Sequence, residues 1–98
     1  MRPRPKASLD RIVLEICRRF HIGEEDFFAA GKDHKLSEAR AMAAWLALEL
    51  GVGTLAELSR RMGRDVTTLS AGVKRLQIRS KTDSELADAI RLLLKALT

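Results

Sequence analysis

The chain has 98 residues, 46% of them hydrophobic, and a formal net charge of +5. That length suits one compact domain, and four aromatics leave its core to Leu, Ile, Val, Met and Ala. No apolar run approaches the ~20 residues that cross a bilayer and no signal-peptide pattern opens the chain, so a soluble cytoplasmic protein is expected, with no membrane partner.

In chain order, "MRPRPKAS" (1–8) reads as a flexible basic arm or linker remnant, with nothing in it to pack. It suggests further domains in a longer parent chain. The remainder, 9–98, reads as one helical domain. Ser8 is placed to cap a first helix in which Leu9, Ile12, Val13, Ile16 and Phe20 recur at helical spacing. Cys17 lies on that apolar face, where it reads as a small core residue. A lone cysteine forms no internal disulfide, and with only His21 and His34 beside it there is no zinc-ligand spacing. "HIGEEDFFAAGK" predicts a turn, a short acidic helix and a Gly stop, with Phe27 and Phe28 as core plugs.

Ser37 is expected to open a third helix through about Leu50, with Met42, Ala43, Leu46 and Leu50 on one side and Trp45 packed rather than stacking on bases. Gly51 fits the cap that ends it. "TLAE" at 54–57 is a capping box that starts a short fourth helix, stopped by Gly63. Asp65 then caps a fifth helix with Leu69, Val73 and Leu76 facing inward. "TDSE" at 82–85 reads as a second capping box, opening a sixth helix with Leu86, Ile90, Leu93 and Leu97 on its stripe. No stretch alternates long enough to be a strand. The fold class is all-α, with about six helices.

A short helix, a Gly turn and a second amphipathic helix make a helix-turn-helix, and in that motif the second helix lies in the DNA major groove. On a wheel of about 100° per residue, Thr67, Ser70, Ala71 and Lys74 cluster opposite Leu69, Val73 and Leu76. The outward face is thus small and polar, with a cation one turn on. Charge is concentrated in the same place. Residues 54–81 carry Arg60, Arg61, Arg64, Lys74, Arg75, Arg79 and Lys81 against only Glu57 and Asp65, and the arm adds Arg2, Arg4 and Lys6. Such a region is the footprint of a polyanion binder. A basic solvated surface on a bundle that never meets DNA is the competing interpretation.

From about Leu9 to Leu97 the chain resembles the C-terminal DNA-binding domain of DnaA, the bacterial replication initiator, a Trp-repressor-like helix-turn-helix. The family's Gly-Arg-Asp-His-Thr-Thr run stands here as Gly63-Arg64-Asp65-Val66-Thr67-Thr68. "FHIGEEDFF", "ARAMAAWLALEL" and "GTLAELSRRMG" resemble the family's other segments, in order. The resemblance implies that Asp65, Thr67 and Thr68 touch bases and phosphates, and that Arg40 contacts DNA from the preceding long helix. Lys32 would take the place of a minor-groove arginine in a basic loop that also holds Lys35. The departures are Val66 for the family's His, Ala41 for a Gln, and a loop thinned to "GKDHK" with Asp33 among its bases. Losing a good base contact costs about 1–3 kcal/mol of discrimination, so binding to the initiator's usual DNA box is not expected. The "GRDVTTLS…VKRL" wording is closer to similar modules at the C-terminus of REP-associated insertion-sequence transposases.

The function expected is double-stranded DNA binding, as the sequence-reading module of a transposase or DnaA-related protein. The candidate contacts are Lys32, Lys35, Arg40, Arg60, Arg61, Arg64, Asp65, Val66, Thr67, Thr68, Ser70 and Lys74. The alternative is a DnaA-like fold with eroded DNA contacts, serving as a protein-interaction module. No catalytic set, metal site, phosphate-binding G-x-x-x-x-G-K-[ST] loop or tyrosine is present. Neither an enzyme, a cofactor nor a small-molecule substrate is expected.

Overall fold

The structure is a computed structural model, and it describes residues 8–28 and 34–97. Six helices follow one another: α1 Leu9–Phe20, α2 Glu24–Phe28, α3 His34–Leu50, α4 Leu55–Met62, α5 Val66–Ser80 and α6 Ser84–Leu97. No strand occurs among the described residues, as the sequence predicts. No helix among them is long and apolar enough to cross a membrane.

α3 organises the domain. Every residue from Ala39 to Ala47 is buried, so the helix is enclosed on all sides rather than along one stripe. Five alanines in that run make this possible, since small side chains let neighbouring helices approach from several directions. The five other helices all pack on it, and α1 with α2, α4 with α5 and α5 with α6 also touch one another. Ile12, Ile16, Phe27, Leu46, Leu58, Met62 and Leu97 fill the interior. Trp45 is buried there too, with its indole N–H lacking a partner among the described residues. Cys17 is buried in the same core, as expected. Its thiol is pushed above the ordinary range, first by burial and then by the Glu24 carboxylate.

Three expectations need correction. α3 begins at His34, not Ser37. Nothing in "HKL" breaks a helix, and half-buried Leu36 anchors the added turn. Phe27 is fully buried, but Phe28 is 42% exposed and meets Phe27 edge-on, with ring centroids 5.0 Å apart. In a five-residue helix only one of two adjacent rings can face inward. The cap of α6 is shifted by one residue. The Asp83 carboxylate accepts from the Leu86 N–H at 3.1 Å, while the Thr82 hydroxyl turns back to the Arg79 carbonyl. Asp is as good an N-cap as Thr, and α5 runs on through Ser80, so the later residue takes the position.

Candidate nucleic-acid interface

The α4–α5 turn is fixed locally. The "TLAE" capping box is complete: Glu57 N–H donates to the Thr54 hydroxyl at 3.2 Å and Thr54 N–H donates to the Glu57 carboxylate at 3.2 Å. Gly63 ends α4 with φ 64°, a left-handed conformation that favours glycine. The Arg64 N–H then donates to the Ser59 carbonyl at 3.0 Å, and the Ser59 hydroxyl donates to the Arg64 carbonyl. Ser59 thus ties both polar groups of the Arg64 backbone, and three residues (63–65) join the two helices.

α5 presents the face read from the sequence. Leu69, Val73 and Leu76 are buried, while Val66, Thr67, Thr68, Ala71 and Lys74 are exposed and Ser70 is half-buried. Asp65 occupies the N-cap position but makes no side-chain capping bond. The cap expected of Asp65 is therefore not made by its side chain, and Asp65 is exposed, as are Val66 and Thr67 after it.

Next to this face runs a groove between α3 and α5, lined by Arg40, Arg64, Thr68, Gly72, Arg75 and Arg79 among others. Gly72 makes it narrow, for a Cβ there would stand 3.0 Å from the Ala41 Cβ. Ala41 is buried, so the position where the family has Gln is used here for helix packing. Arg40 is only 2% exposed. Its Nε donates to the Phe27 carbonyl at 2.8 Å and its guanidinium reaches the Asp26 carbonyl at 3.4 Å, which ties α2 to α3. Burial, and then the nearby Arg64 guanidinium, lower its pKa. The groove thus gathers the guanidiniums of Arg40, Arg64, Arg75 and Arg79 in one concavity, together with the Glu38 carboxylate.

The other candidates are distributed unevenly. Arg60 and Arg61 line a separate concavity with Leu9, Val52 and Gly53, and Arg61 pairs with Asp10 of α1 at 2.9 Å. Lys35 is exposed in the first turn of α3. Lys32 lies outside the described residues. Arg79, left out of the candidate set, enters the groove, where it pairs with Glu38 at 2.6 Å and approaches Asp83 at 3.6 Å. Its signal was available, because positions 68, 72, 75 and 79 follow helical spacing along one stripe of α5. No group of acidic, His and Cys side chains fit for a metal occurs among the described residues.

Residues 9–76 match the family model described as the bacterial dnaA protein helix-turn-helix. The chain is similar to the chromosomal replication initiator protein DnaA of Cereibacter sphaeroides, 31% identical over 93 residues, covering 94% of this chain and 20% of that protein. It is 28% identical over 93 residues to the DnaA of Jannaschia sp., with the same coverage. Against the DnaA of Sphingopyxis alaskensis it is 27% identical over 95 residues, 96% of this chain and 21% of the relative. The chain spans about one fifth of the length of these relatives. The turn, the exposed first turn of α5 and these matches agree, and the chain belongs to the bacterial DnaA helix-turn-helix family.

Proposed function

We propose that the chain binds double-stranded DNA by docking α5 in the major groove, as the sequence-reading module of a DnaA-related protein. The observation that carries this is the first turn of α5. Val66, Thr67 and Thr68 are all exposed there, and the Asp65 carboxylate is not spent on the cap. Small and β-branched polar side chains let a helix approach base edges closely, and threonine offers a methyl and a hydroxyl together. Arg64, Lys74 and Arg75 flank this turn and supply cations for phosphates. Arg40, buried at the groove and bonded to the Phe27 and Asp26 carbonyls, would act by holding α2 against α3. Arg60 and Arg61, beside α1, would hold the backbone farther along the duplex.

The name carried by the relatives supports DnaA-related parentage over a transposase. The interaction-module alternative loses one of its supports, since buried Ala41 is not an eroded surface contact.

The test is fluorescence anisotropy on random-sequence, DnaA-box and scrambled-box duplexes at three salt concentrations. Duplex binding with a steep salt dependence is expected. Thr67→Ala should change the ranking of sequences, whereas Arg64→Ala should weaken all of them alike. No binding at low salt would overturn the reading.

A further inference from the structure

Val66 is a side chain for which the fold has no use. It is the first residue of α5, 42% exposed and outside the core. At the first position of a helix a β-branched residue is tolerated, with no preceding turn to crowd it, but it brings no gain in propensity. Helix propensity and burial both therefore leave it unexplained. Its neighbours on the outward face extend the same surface, with Thr67 beside it and exposed Ala71 one turn on. The leading end of the helix thus exposes the methyl groups of Val66 and Thr67, next to Asp65, whose side chain makes no capping bond.

Valine can neither donate nor accept a hydrogen bond, so at a base edge it can recognise only apolar surface. In the major groove that surface is the C5 methyl group of a pyrimidine, carried by thymine and by 5-methylcytosine. We propose that Val66 is a specificity-determining residue that reads a pyrimidine C5 methyl group. The inference rests on α5 docking in the major groove. It gives this chain a sequence preference of its own, set by a methyl contact rather than a hydrogen bond.

The test uses duplexes with a random core, selected for binding and then amplified with dTTP or with dUTP, which removes the methyl and leaves base pairing unchanged. Burying one methyl group corresponds to about fourfold in affinity. The wild-type chain should bind the thymine form at least about fourfold more tightly than the uracil form, and this ratio should be smaller in Val66→Ala. The uracil form should lose less affinity than the thymine form when Val66 is shortened. At the position so located, 5-methylcytosine should bind more tightly than cytosine by a similar factor, again only with Val66 present. Because Val66 is exposed, the variant should keep its helical circular dichroism. Equal thymine-to-uracil ratios in wild type and variant, with salt-sensitive duplex binding intact, would overturn the methyl inference alone. Absence of duplex binding at low salt would overturn the docking reading and this inference with it.

Discussion

A Cβ at position 72 would stand 3.0 Å from the Ala41 Cβ, tighter than nearly all real Cβ contacts. The α3–α5 separation is therefore set by a missing side chain. In an isolated helix Gly72→Ala would gain about 1 kcal/mol of propensity, but here the added methyl meets a neighbour fixed on a fully packed helix. A larger residue has no such choice: Gly72→Leu should lower stability by about 2 kcal/mol or more through overpacking, measured by urea unfolding. Retained stability would mean that the helices slide apart at little cost. Cys17 gives a second residue-scale prediction. Burial raises its folded pKa above the unfolded one, so the folded state holds the thiol proton more tightly. This contribution to stability is complete below the unfolded thiol pKa and is lost as pH rises through the folded value. Labelling by a thiol reagent should accordingly be slow until the chain unfolds, even at alkaline pH, whereas fast labelling in native buffer would place the thiol outside the core.

Four helices begin at residues of good capping type, Ser8, Thr54, Asp65 and Asp83, yet the caps are not equivalent. Thr54 and Asp83 accept backbone N–H bonds, whereas Asp65 does not. Thr54→Ala and Asp83→Ala should each cost about 1 kcal/mol in urea unfolding. Asp65→Ala should cost at most about half as much, the remainder being its attraction to the helix dipole, while changing DNA affinity more than either. Equal losses at all three positions would mean that Asp65 serves the fold after all. This contrast also shows what the sequence conveys. Periodicity exposed the inward stripe of α5, because Leu69, Val73 and Leu76 repeat at helical spacing, and the Thr54–Glu57 box marked where α4 starts. A cap's residue type did not reveal whether its side chain is engaged, since that depends on turn geometry set by Gly63 and Ser59. Nor could a one-sided stripe anticipate α3, whose alanines look neutral in sequence and are buried all round in the fold. Arg40 was singled out through the resemblance, as a DNA contact. Its burial was not legible, because it depends on where α2 presents the Phe27 and Asp26 carbonyls.

At the scale of the whole domain, 44 × 30 × 25 Å, the question is whether the charge acts as a general cloud or as a surface of definite position. The excess cations lie along α4 and α5, and several are already engaged: Arg61 with Asp10, and Arg79 with Glu38 and Asp83. Lys74 stands exposed on the outward stripe of α5, one turn beyond Ser70. Arg19 lines a concavity between α1 and α6 that shares no residue with the α3–α5 groove. Both carry one positive charge, so a diffuse electrostatic attraction would treat their removal alike. A docked helix would not. If about six phosphates are neutralised, the log–log dependence of affinity on salt should have a slope near −5. Lys74→Ala should make that slope shallower by about 0.9, the loss of one phosphate contact, while Arg19→Ala should leave it unchanged. Titrations of both variants on one duplex across a range of salt concentrations would measure this directly. Equal changes in the two would mean that the chain senses DNA only through its net charge, and the geometry of α5 would then have no part in binding.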